Sequence, residues 1–181
     1  MLQKRSLNVV PYSVALQRLA PDFSSGNDYL DRFLREPVSL DSGYGRTFVW
    51  LSEDETTILG YYNIGTGSVD EEQAGVKTKL GGAVHINCFA LDKGFHGQTK
   101  GFTEAGDKIN LSDLLLFDCL QQIESVRDDY VGFSFITLCS TEEGFNLYKR
   151  NGFEELDDSM RFSVEEEPTK GVKMYYAMDL E

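Results

Sequence analysis

Apolar residues recur along this chain with two different periods, and each change of period marks the end of one element and the start of another. In SSGNDYLDRFLRE, Leu30, Phe33 and Leu34 fall on one face of a helix that Ser, Gly and Asn open and Pro37 closes. RTFVWLSED and TTILGYYNIGTG alternate instead and are rich in β-branched and aromatic residues. The polar SEDET between them has hairpin length, so the two runs pair antiparallel. SLNVVPYS reads as a short first strand or a lead-in. The stretch from Gly67 to Gly82 is polar and glycine-bearing and reads as a connection with no period of its own. AVHINCFALD is a third long strand, with Ala83, His85, Asn87, Phe89 and Leu91 on one face.

The second half of the chain carries the strongest helical pattern. INLSDLLLFDCLQQIESV sets Leu111, Leu114, Leu115, Cys119, Leu120, Ile123 and Val126 in one broad stripe, with polar residues opposite. GFSFITLC is apolar on both faces, as a central strand is, and TEEGFNLYKRN is a short helix that Gly152 stops. FEEL and KMYYAMDL supply the last strands. The sum is a mixed sheet with interspersed helices, in which a strand, helix, strand unit makes two strands parallel. An anion site belongs where that crossover helix begins.

Composition narrows the function classes. The 181 residues suit one domain, 1–181, and 41% hydrophobic and 12% aromatic residues are enough for a folded core. Seventeen Lys and Arg against thirty Asp and Glu give a net charge of -13, which either serves only solubility or favours cationic small molecules, and makes nucleic acid an unlikely partner unless basic residues cluster. Cys88, Cys119 and Cys139 sit in apolar segments without zinc spacing and read as reduced core thiols. The two histidines have no carboxylate or cysteine partners at metal or triad spacing, so no metal is expected. No apolar run reaches the roughly 18 residues of a membrane span, and the N-terminal apolar run is too short for a signal peptide, so the cytoplasm is the expected compartment.

In that order of elements, FALDKGFHGQTKG and LYKRNGFEEL resemble two signatures of the GNAT superfamily, the acyl-CoA-dependent N-acetyltransferases, and the resemblance runs from about Asp22 to Leu180. It implies an α/β (α+β in some schemes) fold: a mixed, mostly antiparallel central sheet with a parallel, splayed strand pair, flanked by helices. In the family an apolar triplet ends a strand and leads into Gln/Arg-x-x-Gly-x-Gly/Ala at a helix start, whose backbone N–H groups bind the CoA pyrophosphate. Phe89, Ala90 and Leu91 take the triplet here. His96 stands where Gln or Arg is usual and Thr99 where the central glycine is usual, and only Gly101 keeps its place. FTEAGDKIN then reads as an inserted small hairpin.

Phosphate binding at a helix start rests on backbone N–H groups and the helix dipole, not on one side chain. The expected cofactor site therefore combines His96, Gly97 and Gln98 with the N–H groups of Leu111, Ser112 and Asp113. Asp113 places a negative charge in the first helical turn, where it equally suits a helix cap. Lys93, Lys100 and Lys108 are candidates for phosphate contacts and equally for solvated surface. The resemblance also implies that backbone N–H groups of Phe89 and Leu91 pair with the pantetheine amides and polarise the thioester carbonyl of acetyl-CoA, the cosubstrate.

LYKRNGF matches the family's Leu/Phe-Tyr-x-x-x-Gly-Phe, and the resemblance makes Tyr148 the proton donor to the leaving thiolate. A tyrosine that shares a helical face with Phe145 is also an ordinary core aromatic. Where relatives often carry a basic Glu, this chain has Asn87, which suits positioning a water or the acceptor amine. His85 shares the Asn87 face and is either a base or a histidine fixed by hydrogen bonds within the sheet. The Asn that many relatives carry ahead of the tyrosine is Thr141 here.

The leading expectation is direct acetyl transfer to a primary amine on a small molecule or peptide. FSSGNDYLDRFLRE also resembles Phe-x-Cys-Gly-Asn-x-x-Leu-Asp-x-Phe-Leu of GNAT toxins that acetylate charged tRNA, with Ser25 in place of the cysteine. Lys4, Arg5, Lys77, Lys79, Lys149 and Arg150 are the basic residues available to such a substrate. Two further readings are a non-catalytic acyl-CoA or protein-binding module, and an interaction protein without CoA. A homodimer through the C-terminal strand is a further possibility.

Overall fold

A long hairpin organises the chain. Strands β3 (Ile58–Gln73) and β4 (Val76–Leu91) are 16 residues each and are joined by a two-residue turn. Both turn residues have positive φ, Ala74 at 51° and Gly75 at 78°, the conformation whose twist matches that of paired strands. The computed structural model describes residues 7–162 and 171–178.

The polar stretch Gly67–Gly82, expected to be a connection, is therefore the outer arm of this hairpin. Cross-strand backbone bonds set by the tight turn hold it as sheet although Val76–Leu80 are exposed.

The other elements are β1 (Val9–Pro11), α1 (Asp28–Arg35), β2 (Arg46–Leu51), β5 (Thr99–Phe102), β6 (Lys108–Asn110), α2 (Leu111–Asp129), β7 (Phe135–Ser140), α3 (Phe145–Arg150), β8 (Glu154–Glu155), β9 (Met160–Arg161) and β10 (Val172–Ala177). The main sheet has the order β1-β2-β3-β4-β7-β10-β8, and β9 pairs with β3. It is mixed: β1 runs antiparallel to β2, β10 antiparallel to β7 and β8, and β4 parallel to β7. The expected sheet class and its parallel pair are both present. β5 and β6 form a separate two-stranded hairpin around Glu104–Asp107, as the insertion after the loop predicts.

The chain groups into two compact units, Met1–Asn63 with Cys88–Gln122 and Ile64–Asn87 with Ile123–Glu181. In the first, Asn27 caps α1 by accepting the N–H groups of Tyr29 and Leu30, and Phe33 and Leu34 face the core. Phe33 stacks on Tyr61 with ring centroids 6.0 Å apart, and Phe23 meets Tyr61 edge-on at 5.6 Å. The Tyr61 hydroxyl donates to the Leu30 carbonyl at 2.7 Å, which satisfies the one polar atom this ring buries. Gly60 packs tightly here: a Cβ at this position would lie 2.8 Å from Leu115 Cδ2 and 2.9 Å from the Ala90 carbonyl. Leu115, Leu116 and Cys119 of α2 are buried, a stripe close to the predicted one but including Leu116.

In the second unit the parallel ladder registers Ala83 with Phe135 through Ile86 with Leu138. Val69, Ala83 and Met160 form a small core against which Phe135, Leu156 and Tyr175 pack. Gly152, at φ +91°, follows α3 and turns the chain into Phe153, which is buried against Tyr148 and Tyr176. Among the described residues no helix is long and apolar enough to cross a membrane, and no group of His, Cys, Asp and Glu is arranged to hold a metal. The expected strand KMYYAMDL is present as Val172–Ala177; its last two residues, and the basic residues Lys4 and Arg5, lie outside the described residues.

Candidate active site

The candidate cofactor loop lies wholly within the first unit. β4 ends with Phe89 half-buried and Ala90 and Leu91 buried, and the Asp92 N–H donates to the Leu59 carbonyl at 2.9 Å. The chain then folds into a 3₁₀ turn, Lys93–Phe95, capped by Asp92, whose Oδ1 accepts the Gly94 N–H at 2.9 Å. His96 Nε2 lies 2.8 Å from the Leu91 carbonyl and the Gln98 amide donates to the Gly94 carbonyl at 2.7 Å, so both side chains brace the turn from within. Gly97 has φ +70° and nothing within 4 Å of a would-be Cβ. A glycine there gives both the left-handed turn and an open approach to the backbone, which is what the loop sequence predicts.

At the helix start the expected donors differ from one another. The Leu111 N–H donates to the Gln98 carbonyl at 3.1 Å and so closes the loop onto the helix. Asp113 is buried, and its Oδ2 accepts the Asn110 N–H at 2.8 Å. A carboxylate in the first turn that accepts the N–H ahead of the helix is one half of a capping box, which gives Asp113 a structural reason to sit here. Ser112 is half-buried. The group of His96, Gly97, Gln98, Leu111, Ser112 and Asp113 is thus contiguous, tied by the Gln98–Leu111 bond. Lys93, Lys100 and Lys108 are exposed.

Sequence reasoning missed what supports this loop. Asp92 Oδ2 accepts the Ser24 N–H at 3.1 Å, and the Lys93 N–H donates to the Ser24 carbonyl at 2.8 Å. The signal was present in the side chains, an Asp directly before Lys-Gly and a Ser-Ser ahead of α1, but their pairing joins residues distant in sequence.

The candidate proton donor lies in the second unit. Tyr148, on α3, is buried, and its ring meets Phe153 edge-on at 5.7 Å. The helix is set by Thr141: its Oγ1 accepts the Gly144 N–H at 3.2 Å and its carbonyl accepts the Phe145 N–H at 3.1 Å. Thr141 thus forms the turn that starts the helix in place of the family's Asn. Gly144 packs closely against this ring: a Cβ there would stand 3.2 Å from Tyr148 Cε2. Asn87 is half-buried near the end of the β4 segment of this unit.

His85 is buried, with Nδ1 2.8 Å from Thr137 Oγ1 and its ring centroid 5.4 Å from that of Phe162. Burial, and then the charge of Lys173, hold its pKa down at about 4. It is the sheet-fixed histidine of the two readings, neutral at physiological pH and too weak a base for an ammonium ion. The thiols are equally inert: Cys88 and Cys119 are buried, and burial pushes Cys88 up to about 12.

No family model matches the chain. Solved structures do. A tyrosine-to-phenylalanine variant of KacT matches at a TM-score of 0.67 over 96% of this chain and 95% of that one, with 18% identity. AtaTR bound with acetyl-CoA matches at 0.66 over 95% and 94%, with 19% identity. This is the GNAT fold. AtaT complexed with acetyl-methionyl-tRNAfMet shares it, at a TM-score of 0.61 over 87% of this chain and 94% of that one, with 21% identity.

That last GNAT structure corrects one expectation. Nucleic acid was set aside as a partner because of the net charge of -13, yet a protein of the same fold has been solved on a tRNA. Bulk charge sums over every residue, whereas counterion release depends on the few cations that meet phosphates, within a Debye length of about 10 Å. The overall charge of a chain of this fold therefore does not exclude a nucleic-acid partner.

Proposed function

We propose that this chain is an acetyl-CoA-dependent N-acetyltransferase of the toxin type, which acetylates the α-amino group of an aminoacyl-tRNA. The observation that carries the reading is the shared fold with AtaT on acetyl-methionyl-tRNAfMet across nearly the whole of both chains. The segment FSSGNDYLDRFLRE, which resembles the toxin motif, contains the capped helix α1, Asp28–Arg35, and the motif match supports the reading.

The chemistry suits the residues present. Acetyl-CoA supplies the acetyl thioester. An α-amino group has an ordinary pKa of roughly 8, so an appreciable fraction is already neutral at pH 7 and needs no strong base. That fits a chain with Asn87 where a Glu is usual and with His85 buried and neutral. Asn87 is assigned to orient the amine or a water beside it. Attack forms the N–C bond and breaks the C–S bond; the amine nitrogen gives up its proton to water and so to solvent, while the phenol of Tyr148 gives its proton to the departing sulfur and is reprotonated from solvent. Phe89 and Leu91 are assigned to the pantetheine arm and Gly97 and Ser112 to the phosphates, while His96 and Gln98, whose N–H groups donate to the Lys93 and Phe95 carbonyls, are assigned to shaping the turn.

The test is acetyl transfer from radiolabelled acetyl-CoA to charged tRNAs, with uncharged tRNA and polyamines as controls. Label should enter charged tRNA and leave with the amino acid when the ester is hydrolysed. Label in polyamines alone would overturn the reading.

A further inference from the structure

Two carboxylates grip one dipeptide in the first unit. Asp31 of α1 is buried and takes three bonds from Ser24 and Ser25: the Ser25 N–H at 2.7 Å and the Ser25 hydroxyl at 2.6 Å on Oδ1, and the Ser24 hydroxyl at 3.2 Å on Oδ2. Arg35, one turn further along α1, holds the chain just ahead of them by donating to the carbonyls of Ala20 and Phe23 at 3.3 and 2.8 Å. On its other side Ser24 exchanges backbone bonds with the loop: its N–H donates to Asp92 Oδ2 at 3.1 Å and its carbonyl accepts the Lys93 N–H at 2.8 Å. The second oxygen of Asp92 caps the turn Lys93–Phe95, whose carbonyls in turn accept the N–H groups of His96 and Gln98.

We infer that Asp31 and Asp92, acting through Ser24 and Ser25, are positioning residues for the cofactor loop Lys93–Gln98. Every bond in the chain from α1 to the Gly97 turn is local to this unit, and three of the bonds to Asp31 and both of those to Asp92 end on a carboxylate, the stronger kind. The loop itself is exposed and glycine-bearing, with little apolar area to fix it. Its conformation therefore depends on what anchors its first residue. The anchor takes up the Lys93 and Gly94 N–H groups and lies ahead of the Gly97 turn, so it fixes the loop without occupying the Gly97 backbone, which is open to approach. The functional consequence rests on the acetyl-CoA reading above; the anchoring does not.

Asp31→Asn and Asp92→Asn test it, with Ser25→Ala as a milder variant should either fail to fold. Ser39→Ala, which removes a buried hydroxyl bonded to the Leu34 and Glu36 carbonyls, controls for general loss of stability. Two readouts are taken on the purified protein: amide hydrogen exchange over residues 93–98, and the acetyl-CoA dissociation constant. Both Asp variants should exchange faster at 93–98 and bind acetyl-CoA roughly tenfold more weakly, with kcat at saturation within about twofold. The double variant should lose less than the product of the single losses, because both act on one network. Ser39→Ala should change melting temperature alone. Asp31→Asn with wild-type exchange at 93–98 overturns the inference. If wild type binds no acetyl-CoA, the exchange measurement still decides the anchoring, and the cofactor reading fails separately.

Discussion

His85 and Thr137 face each other across the parallel β4–β7 pair, with Nδ1 and Oγ1 2.8 Å apart, and this contact turns a candidate base into a structural group. The folded-state pKa is held at about 4, chiefly by burial. An unfolded histidine titrates near 6.5, so as pH falls the unfolded chain takes up the proton first. The stability this group supplies is complete above about 6.5 and is lost as pH falls towards 4, a span worth roughly 3 kcal/mol. His85→Asn, which keeps a partner for Thr137, should flatten the fall of the denaturation midpoint between those pH values relative to wild type. Turnover near pH 7.5 should stay within about twofold of wild type; a large loss would return His85 to the chemistry.

Tyr148→Phe removes one hydroxyl and keeps the edge-on contact with Phe153. Acetyl-CoA affinity and melting temperature should hold, while kcat falls by roughly a hundredfold or more, the usual worth of a positioned acid. Unchanged single-turnover rates would remove Tyr148 from the acid role.

Asp113 caps α2 through the Asn110 N–H and carries a charge that phosphate must meet if it docks at this helix start. Asp113→Asn keeps an acceptor oxygen and removes the charge. Acetyl-CoA should bind roughly two- to fivefold more tightly, the effect of one charge at a helix terminus, and the gain should shrink at high salt. Equal affinity in both proteins would place the phosphates elsewhere.

Gly60→Ala puts a methyl group 2.8 Å from Leu115 Cδ2 and 2.9 Å from the Ala90 carbonyl. The leucine can turn away, but the backbone oxygen cannot. A loss of about 1–3 kcal/mol is expected. Thermal unfolding should show it as a lower melting temperature, and a stability equal to wild type would mean that β3 and β4 accommodate the methyl group.

The fold was legible wherever burial set the pattern. The α2 stripe, the alternation leading to Leu91 and the LYKRNGF turn each answer to a core that the sequence must fill, and each is where its pattern puts it. The arm from Gly67 to Gly82 was not legible, because it is held by cross-strand bonds and the Ala74–Gly75 turn while most of its side chains face water. The loop was half legible. Gly97 and the inserted hairpin announce themselves locally, but the bond that gives Leu111 N–H to Gln98 and the bond of Asp92 to Ser24 join residues separated along the chain and leave no period to read. Bulk charge misled for a related reason, since it records how many cations the chain has and nothing about where they meet.

The β3–β4 hairpin also sets an order of assembly. Its strands are joined by two residues, so they zip together by local contacts as soon as Leu91 has left the ribosome, long before their parallel neighbour exists. Phe135–Ser140 arrives only after all of α2 has been made, and until then one edge of β4 stands open on the nascent chain. Lys77 and Lys79 sit on the exposed outer part of that strand, where a charged side chain discourages a second nascent hairpin from pairing there. The polar arm that hides its strand character from the sequence thereby carries lysines on the exposed part of that strand, which disfavours pairing with a second copy.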